Sequence, residues 1–168
     1  TARSIIKYLT KLSDNDSDIE QKIIQSNPIL ESFGNAKTLR NSNSSRFGKY
    51  IQIQIDKNNI VGSHIQTYLL EKIRVVNQVD NERNYHIFYQ LLSNSNFKNK
   101  YNLSDHTAYK YLNNKYIKCH DIDDNIEFQR TLDAFQIMQF SEEHIGNIYQ
   151  TIAAILHIGN LEVDDDYN

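Results

Sequence analysis

The chain has 168 residues, a formal net charge of −3 and 39% hydrophobic residues. That suits one domain, or a piece of a larger one, with enough apolar content for a core, and it implies no broad basic surface for nucleic acid or anionic membrane. The single cysteine, Cys119, excludes an internal disulfide and fits a reducing compartment, and no apolar run reaches the roughly 18 residues of a membrane span.

The first residues, "TARSIIKYL", read as the middle of an amphipathic helix, with Ile5, Ile6, Leu9 and Leu12 at helical spacing. They carry neither a starting Met nor a signal-peptide pattern, so the chain is expected to be cut from something longer. "SDNDSD" (Ser13–Asp18) reads as a polar loop. Ile19, Ile23, Ile24, Ile29, Leu30 and Phe33 form a second helical pattern. Pro28 is expected to kink or divide it, because proline lacks a backbone donor and crowds the preceding turn. Gly34 is the expected stop.

The period then changes to two. Ile51, Ile53 and Ile55 alternate with Tyr50, Gln52 and Gln54, which predicts a strand with one apolar face. "DKNN" (Asp56–Asn59) is turn chemistry. "IVGSHIQTYLL" follows as a second strand, so the pair predicts a hairpin. "NYHIFYQLL" predicts a helix with Tyr85, Phe88, Tyr89 and Leu92 on one face and Ile87 and Leu91 flanking it. Residues 94–126 read as loop and short turns, and a helix is expected at roughly 127–138. Ser141 is a good N-cap, with Glu142 and Glu143 in the first turn where carboxylates suit the helix dipole. Ile145, Ile148, Ile152, Ile155 and Leu156 give that helix its expected buried face, and Gly159 its end.

Candidate chemistry is sparse. "CHDIDDN" (Cys119–Asn125) fails as a calcium loop: Ile126 stands where glycine is needed and Leu132 where the bidentate Glu belongs. It reads as a solvated loop before a helix, and "DDD" (Asp164–Asp166) as a solvated tail. No histidine pair has helical zinc spacing. His86 and His157 read as core or packing histidines, and the scattered tyrosines accompany no basic groove for base stacking.

One stretch stands apart. "RNSNSSRFGK" (Arg40–Lys49) packs amides, hydroxyls and guanidinium groups between a helix and a strand. Phosphate and Mg²⁺ sites need such small close-approaching groups with a fixed positive charge, and Asn41, Ser44, Ser45 and Arg46 supply them. From its residues the stretch is either an anion-binding loop or a surface connection.

The segment "NPILESFGNAKTLRNSNSSRFGKYIQIQI" (Asn27–Ile55) closely resembles the myosin motor domain, and Asn41–Lys49 resembles its switch I loop. The likeness extends through "GSHIQTYLLEKIRVV" (Gly62–Val76), "ERNYHIFYQLL" (Glu82–Leu92) and "IAAILHIGNLEV" (Ile152–Val163), in family order over essentially the whole chain. Kinesins share an "SSR" switch but typically continue into Ser-His, whereas Phe47 and Gly48 follow here. The resemblance implies an α/β fold: a fragment of a P-loop NTPase-type myosin head, helix-rich, with a β-hairpin from the central mixed sheet. Residues 1–168 would form a partial motor domain, with switch I at about 35–49, the sheet hairpin at about 48–70 and upper-half helices at about 84–160. No G-x-x-x-x-G-K-[ST] occurs in the sequence, and switch II is also expected to lie outside it.

The resemblance further implies an actin-activated Mg-ATPase, with ATP and Mg²⁺ as cofactors. Asn41 matches the asparagine that contacts the nucleotide phosphates. Ser44 matches the serine near the γ-phosphate that orients the attacking water, and Ser45 the serine that ligates Mg²⁺. Arg46 matches the arginine that pairs with the switch II glutamate as the site closes. Ser42 occupies a position the family varies and receives no role. Implied partners are actin filaments, and light chains or calmodulin on a lever arm elsewhere in the motor; no nucleic acid and no direct membrane insertion are implied. The implied location is the cytoplasmic cytoskeleton. This chain alone is expected to be inactive without the phosphate-binding loop and switch II. The alternative is a truncated, non-catalytic myosin-like module with a structural or binding role.

Overall fold

The computed structural model describes Tyr8 and residues 18–57, 59–112, 119 and 121–162. Apart from Tyr8, the expected N-terminal helix lies outside the described residues, as do most of the Ser13–Asp18 loop and the acidic tail.

Helix α1 (Asp18–Gly34) leads into two short strands, β1 (Asn35–Ala36) and β2 (Ser44–Ser45). The hairpin follows as β3 (Gly48–Asp56) and β4 (Asn59–Tyr68). Beyond a 3₁₀ turn at Lys72–Val75 come α2 (His86–Ser93), α3 (Ser95–Lys100), two further 3₁₀ turns, α4 (Asp124–Ile137) and α5 (Glu142–Gly159).

Pro28 does not divide α1, which runs on through it. Proline at this position leaves the carbonyl four residues earlier, that of Ile24, without its backbone donor. The neighbouring Asn27 supplies a substitute: its Nδ2 donates to Ile24 O at 3.1 Å. The helix therefore runs on to Gly34, the expected stop.

The hairpin forms as expected, antiparallel, with Ile51 opposite Ile65 and Gln52 opposite His64. Ile23 of α1 and Ile60 are buried, and Ile24, Ile51 and Ile53 pack against them. The apolar face stops short of Ile55, which is 57% exposed. The register slips between Gln54 and Ile55, leaving Val61 as an extra residue; such a bulge adds local twist, and it separates the hairpin tip from the regular ladder. Lys57 turns the chain with φ 44°.

Helix α2 departs from the one-faced expectation. His86 through Leu92 are all buried, because α1, α3 and α4 pack around it. A helix surrounded on all sides needs no polar stripe. The core continues through edge-to-face rings: Phe97 meets Phe128 and Tyr149, each with centroids 5.0 Å apart. Ile145, Ile152 and Leu156 are buried on the α5 face as expected, Tyr149 joins them at its centre, and Ile148 and Ile155 are only partly buried. Ser141 caps α5 as expected, its Oγ accepting from His144 N at 3.2 Å.

Three further expectations change. The loop region 94–126 contains the short helix α3, capped by Asn94. Helix α4 starts earlier than expected, because Asp123 caps it by accepting from Asn125 N and Ile126 N. His157 is exposed, its ring edge-on to Tyr109, and is not a core residue; α5 turns that side of its last turn to solvent.

Candidate switch loop

The pairing of Asn35 with Ser45 and of Ala36 with Ser44 closes a loop over Lys37–Asn43. Arg46 N donates to Gly34 O at 2.8 Å, tying the end of the loop to the end of α1. Gly34 is required there: a Cβ would lie 2.4 Å from the Phe47 ring. Inside the loop, Thr38 N donates to Asn41 O at 2.8 Å and Asn43 N to Asn41 Oδ1 at 2.9 Å. Asn43 then anchors the turn to α1. Its Oδ1 accepts from Asn35 Nδ2 at 2.8 Å, and its Nδ2 donates to Glu31 Oε2 at 3.0 Å.

The residues singled out in sequence lie as follows. Asn41 and Ser45 are exposed, and Ser44 and Arg46 are half-buried. Asn41 Oδ1 is occupied within the turn, which leaves the carboxamide N–H groups as its outward donors. Ser45 Oγ donates to Phe47 O at 2.9 Å, so its lone pairs remain available. Ser44 Oγ accepts from Arg46 Nη1 at 3.4 Å, a long contact.

Arg46 is held through both its side chain and its backbone. Its Nε donates to Glu71 Oε2 at 2.6 Å, and its carbonyl accepts from Glu71 N at 3.0 Å. Glu71, a residue given no role from sequence, also accepts from Arg74 Nε at 2.7 Å. Partial burial pushes the Glu71 carboxyl up, but hydrogen bonds and charge from Arg46 and Arg74 outweigh it, so its pKa sits below the ordinary value.

The network continues inward. Buried Arg74 donates through Nη2 to Glu82 Oε2 at 2.8 Å and through Nη1 to Arg83 O at 3.1 Å. Glu82 Oε1 accepts from Leu39 N at 3.3 Å, back on the loop. Arg83 N donates to Lys37 O at 2.9 Å. Both shoulders of the loop are thus clamped to the 71–83 segment. Arg83 Nη2 in turn donates to both Asp124 oxygens, at 2.7 and 2.9 Å, and the guanidinium lies 3.8 Å over the Tyr89 ring. Burial raises the Asp124 pKa more than Arg83 lowers it.

The Cys119–Asn125 stretch is a solvated loop at Asp121, Asp123 and Asn125, as it reads, but not at Cys119. Cys119 is buried, with Sγ 3.9 Å from Ser42 O, and Ser42 Oγ donates to Asp121 Oδ2 at 3.4 Å. Burial pushes the Cys119 thiol pKa up, so it stays protonated and packs as a small apolar group. For Glu71 and Arg74 the local hint in the sequence was charge inside an otherwise apolar run, "LLEKIRVV".

Magnesium commonly takes one or two protein oxygens and completes its octahedron with water and phosphate oxygens. The outward Ser45 hydroxyl suits one such position. Among the described residues no group of three or more His, Cys, Asp or Glu converges to hold a metal. The donor set fits an ion shared with a phosphate and does not fit a self-sufficient metal centre.

Comparison with known proteins gives a consistent result. The family described as "Myosin head (motor domain)" matches residues 1–168. The chain is 46% identical to Myosin-15 of Arabidopsis thaliana over 168 residues, covering 96% of this chain and 11% of that protein. It is 43% identical to Myosin type-2 heavy chain 2 of Schizosaccharomyces pombe, over 99% of this chain and 8% of the relative. It is 45% identical to Myosin-VIIa of Drosophila melanogaster, over 96% and 8%. The chain thus spans about a tenth of the length of these relatives.

Proposed function

Because the chain belongs to the myosin head (motor domain) family, of α/β type, we propose that it supplies the phosphate-sensing switch of an actin-based, Mg-ATP-hydrolysing motor. The observation that supports this is the construction of the Thr38–Phe47 loop. It is clamped at both shoulders, by Leu39 to Glu82 and by Arg46 to Gly34 and Glu71, while Asn41 and Ser45 stay exposed on it. Fixed donors on a held backbone stabilise developing charge without reorganising at the moment of reaction.

In this reading Asn41 donates its outward N–H groups to phosphate oxygens. Ser45 lends its oxygen to Mg²⁺; when bound, that ion neutralises charge on the β- and γ-phosphates. Ser44 orients the attacking water. Arg46 holds the loop closed, exchanging between Glu71 and the glutamate that the family places in switch II. Any displacement of Arg46 is felt along two routes. Its backbone leads through Phe47 into β3 at Gly48, and its carbonyl and guanidinium both hold Glu71. Loss of phosphate would release the loop, pull on the hairpin and so bias the actin cleft and lever of the complete motor. Actin filaments, light chains or calmodulin, and a cytoskeletal location belong to that complete motor.

Ser45→Ala, built into a complete head, is expected to weaken Mg²⁺-dependent nucleotide binding by about tenfold, since one metal ligand is lost. Ser44→Ala is expected to bind nearly as the parent and to slow the hydrolysis step instead. Stopped-flow nucleotide binding and quenched-flow cleavage separate the two. Equal binding losses in both variants would show that the roles are wrongly divided.

The 168-residue chain by itself is expected to release no phosphate from ATP at motor-like rates, because its sequence holds no Gly-Lys-[Ser/Thr] phosphate cradle. A phosphate-release assay with and without actin checks this. Motor-like turnover would mean that the switch residues do not need the cradle.

A further inference from the structure

A separate cleft of about 700 Å³ lies between α1, the Ser42–Asn43 turn, α2 and α4. Ser44, Ser45 and Arg46 do not line it. Its wall is acidic. Glu31, Asp121, Glu127 and Asp133 face it against one guanidinium, Arg130, which is paired with Glu127. The other three carboxylates accept only from neutral donors among the described residues: Asn43 on Glu31, Ser42 on Asp121 and Gln129 on Asp133.

His86 also lines this cleft. It is 3% exposed, and among the described residues neither ring nitrogen has a hydrogen-bond partner. Buried polar atoms are rarely left so, since desolvation without a partner costs free energy. Burial, assisted by the charge of Arg83, pushes the His86 pKa down to about 3. The ring is therefore neutral at physiological pH and offers one nitrogen as an acceptor.

We propose that this cleft is a binding site for a small organic cation carrying a primary ammonium group. An ammonium has three donors and no acceptor, which matches unneutralised carboxylates around a neutral imidazole. An anion would meet carboxylates on most sides. An apolar ligand would leave His86 unsatisfied, and among the described residues no set of three metal-binding side chains converges here. The Ser42–Asn43 turn forms one wall, so the ligand touches the switch loop through the Asn43–Glu31 and Ser42–Asp121 contacts.

Calorimetric titration of the full-length protein with 1,5-diaminopentane at fixed ionic strength tests the proposal, with 1,5-pentanediol as the neutral isostere. The diamine is expected to bind saturably, one per chain, and the diol not at all. Asp133→Asn, at an exposed position that the fold tolerates, is expected to weaken binding about tenfold through loss of one charge-assisted contact. Glu31→Gln and His86→Phe are expected to weaken it similarly, whereas Asp105→Asn, outside the cleft, leaves it unchanged. Heat that does not saturate, an equal response to the diol, or parental affinity in both Asp133→Asn and Glu31→Gln would overturn the site and leave only diffuse counter-ion attraction.

Discussion

Arg46→Glu, in a complete head, is expected to bind ATP within a few-fold of the parent and to slow single-turnover cleavage by roughly 100-fold or more, the scale of removing one preorganised electrostatic contact. The guanidinium lies 2.6 Å from Glu71 and reaches Ser44 at 3.4 Å. A carboxylate in its place repels Glu71 and withdraws the donor from the Ser44 hydroxyl. In the proposed reading first binding rests on Asn41 and Ser45, which the substitution does not touch. Arginine suits the position because its planar fork can hold a carboxylate while another nitrogen serves a second acceptor.

The in-chain charge swap, Arg46→Glu with Glu71→Arg, is expected not to rescue. Glu71 is shared with Arg74, so an arginine at position 71 would face a second guanidinium 2.7 Å from where the carboxylate now sits. A swap with the switch II glutamate of the complete head should instead recover much of the cleavage rate. If that swap is as slow as the single variant, Arg46 acts on the phosphate itself or on folding, and closure is not its role. Normal cleavage in Arg46→Glu alone would remove it from the mechanism altogether.

Arg74→Met is expected to be the most damaging substitution for stability, by about 3–5 kcal/mol, the usual cost of breaking a buried ion pair from one side. Arg74 is 3% exposed and joins Glu71, Glu82 and the Arg83 carbonyl. Removing it leaves Glu82 buried without its cation, and Glu82 is the group that holds Leu39 N. Arg74→Lys should recover little, because one ammonium cannot span those acceptors. Arg74→Met with Glu82→Gln should recover part by removing the stranded charge. Thermal unfolding of the three variants decides it; a melting midpoint in Arg74→Met equal to the parent's would mean that the network is not structural.

The same network sets an acid limit. The Glu71 pKa is lower folded than its ordinary 4.5. Its contribution to stability is therefore complete above that value and is lost as pH falls through the folded value. His86 works in the same direction from higher pH. Its folded pKa of about 3 lies below the ordinary 6.5, so the unfolded chain gains a proton first and stability declines as pH drops below about 6.5.

Much of this molecule is written locally. Alternating isoleucines and a DKNN turn suffice for a hairpin, because strand period and turn chemistry act over a few residues. Ser141 starts α5 for the same reason: an N-cap is satisfied by the nearest N–H groups. The loop stood out by composition, since few surface connections concentrate amides, hydroxyls and guanidinium groups so densely. Tertiary structure decided the rest. Periodicity reports the faces of a helix about its own axis, so it could not show that α2 is enclosed on every side. It marked Pro28 as a kink or a division, because the backbone rule says nothing of the Asn27 side chain that supplies a donor to Ile24 O. Arg46 meets Glu71 across 25 residues and Ser42 meets Asp121 across 79. Pairings at such separations leave no period and no motif in the sequence, because only the folded chain brings those charges close enough for their attraction to outweigh the water they give up.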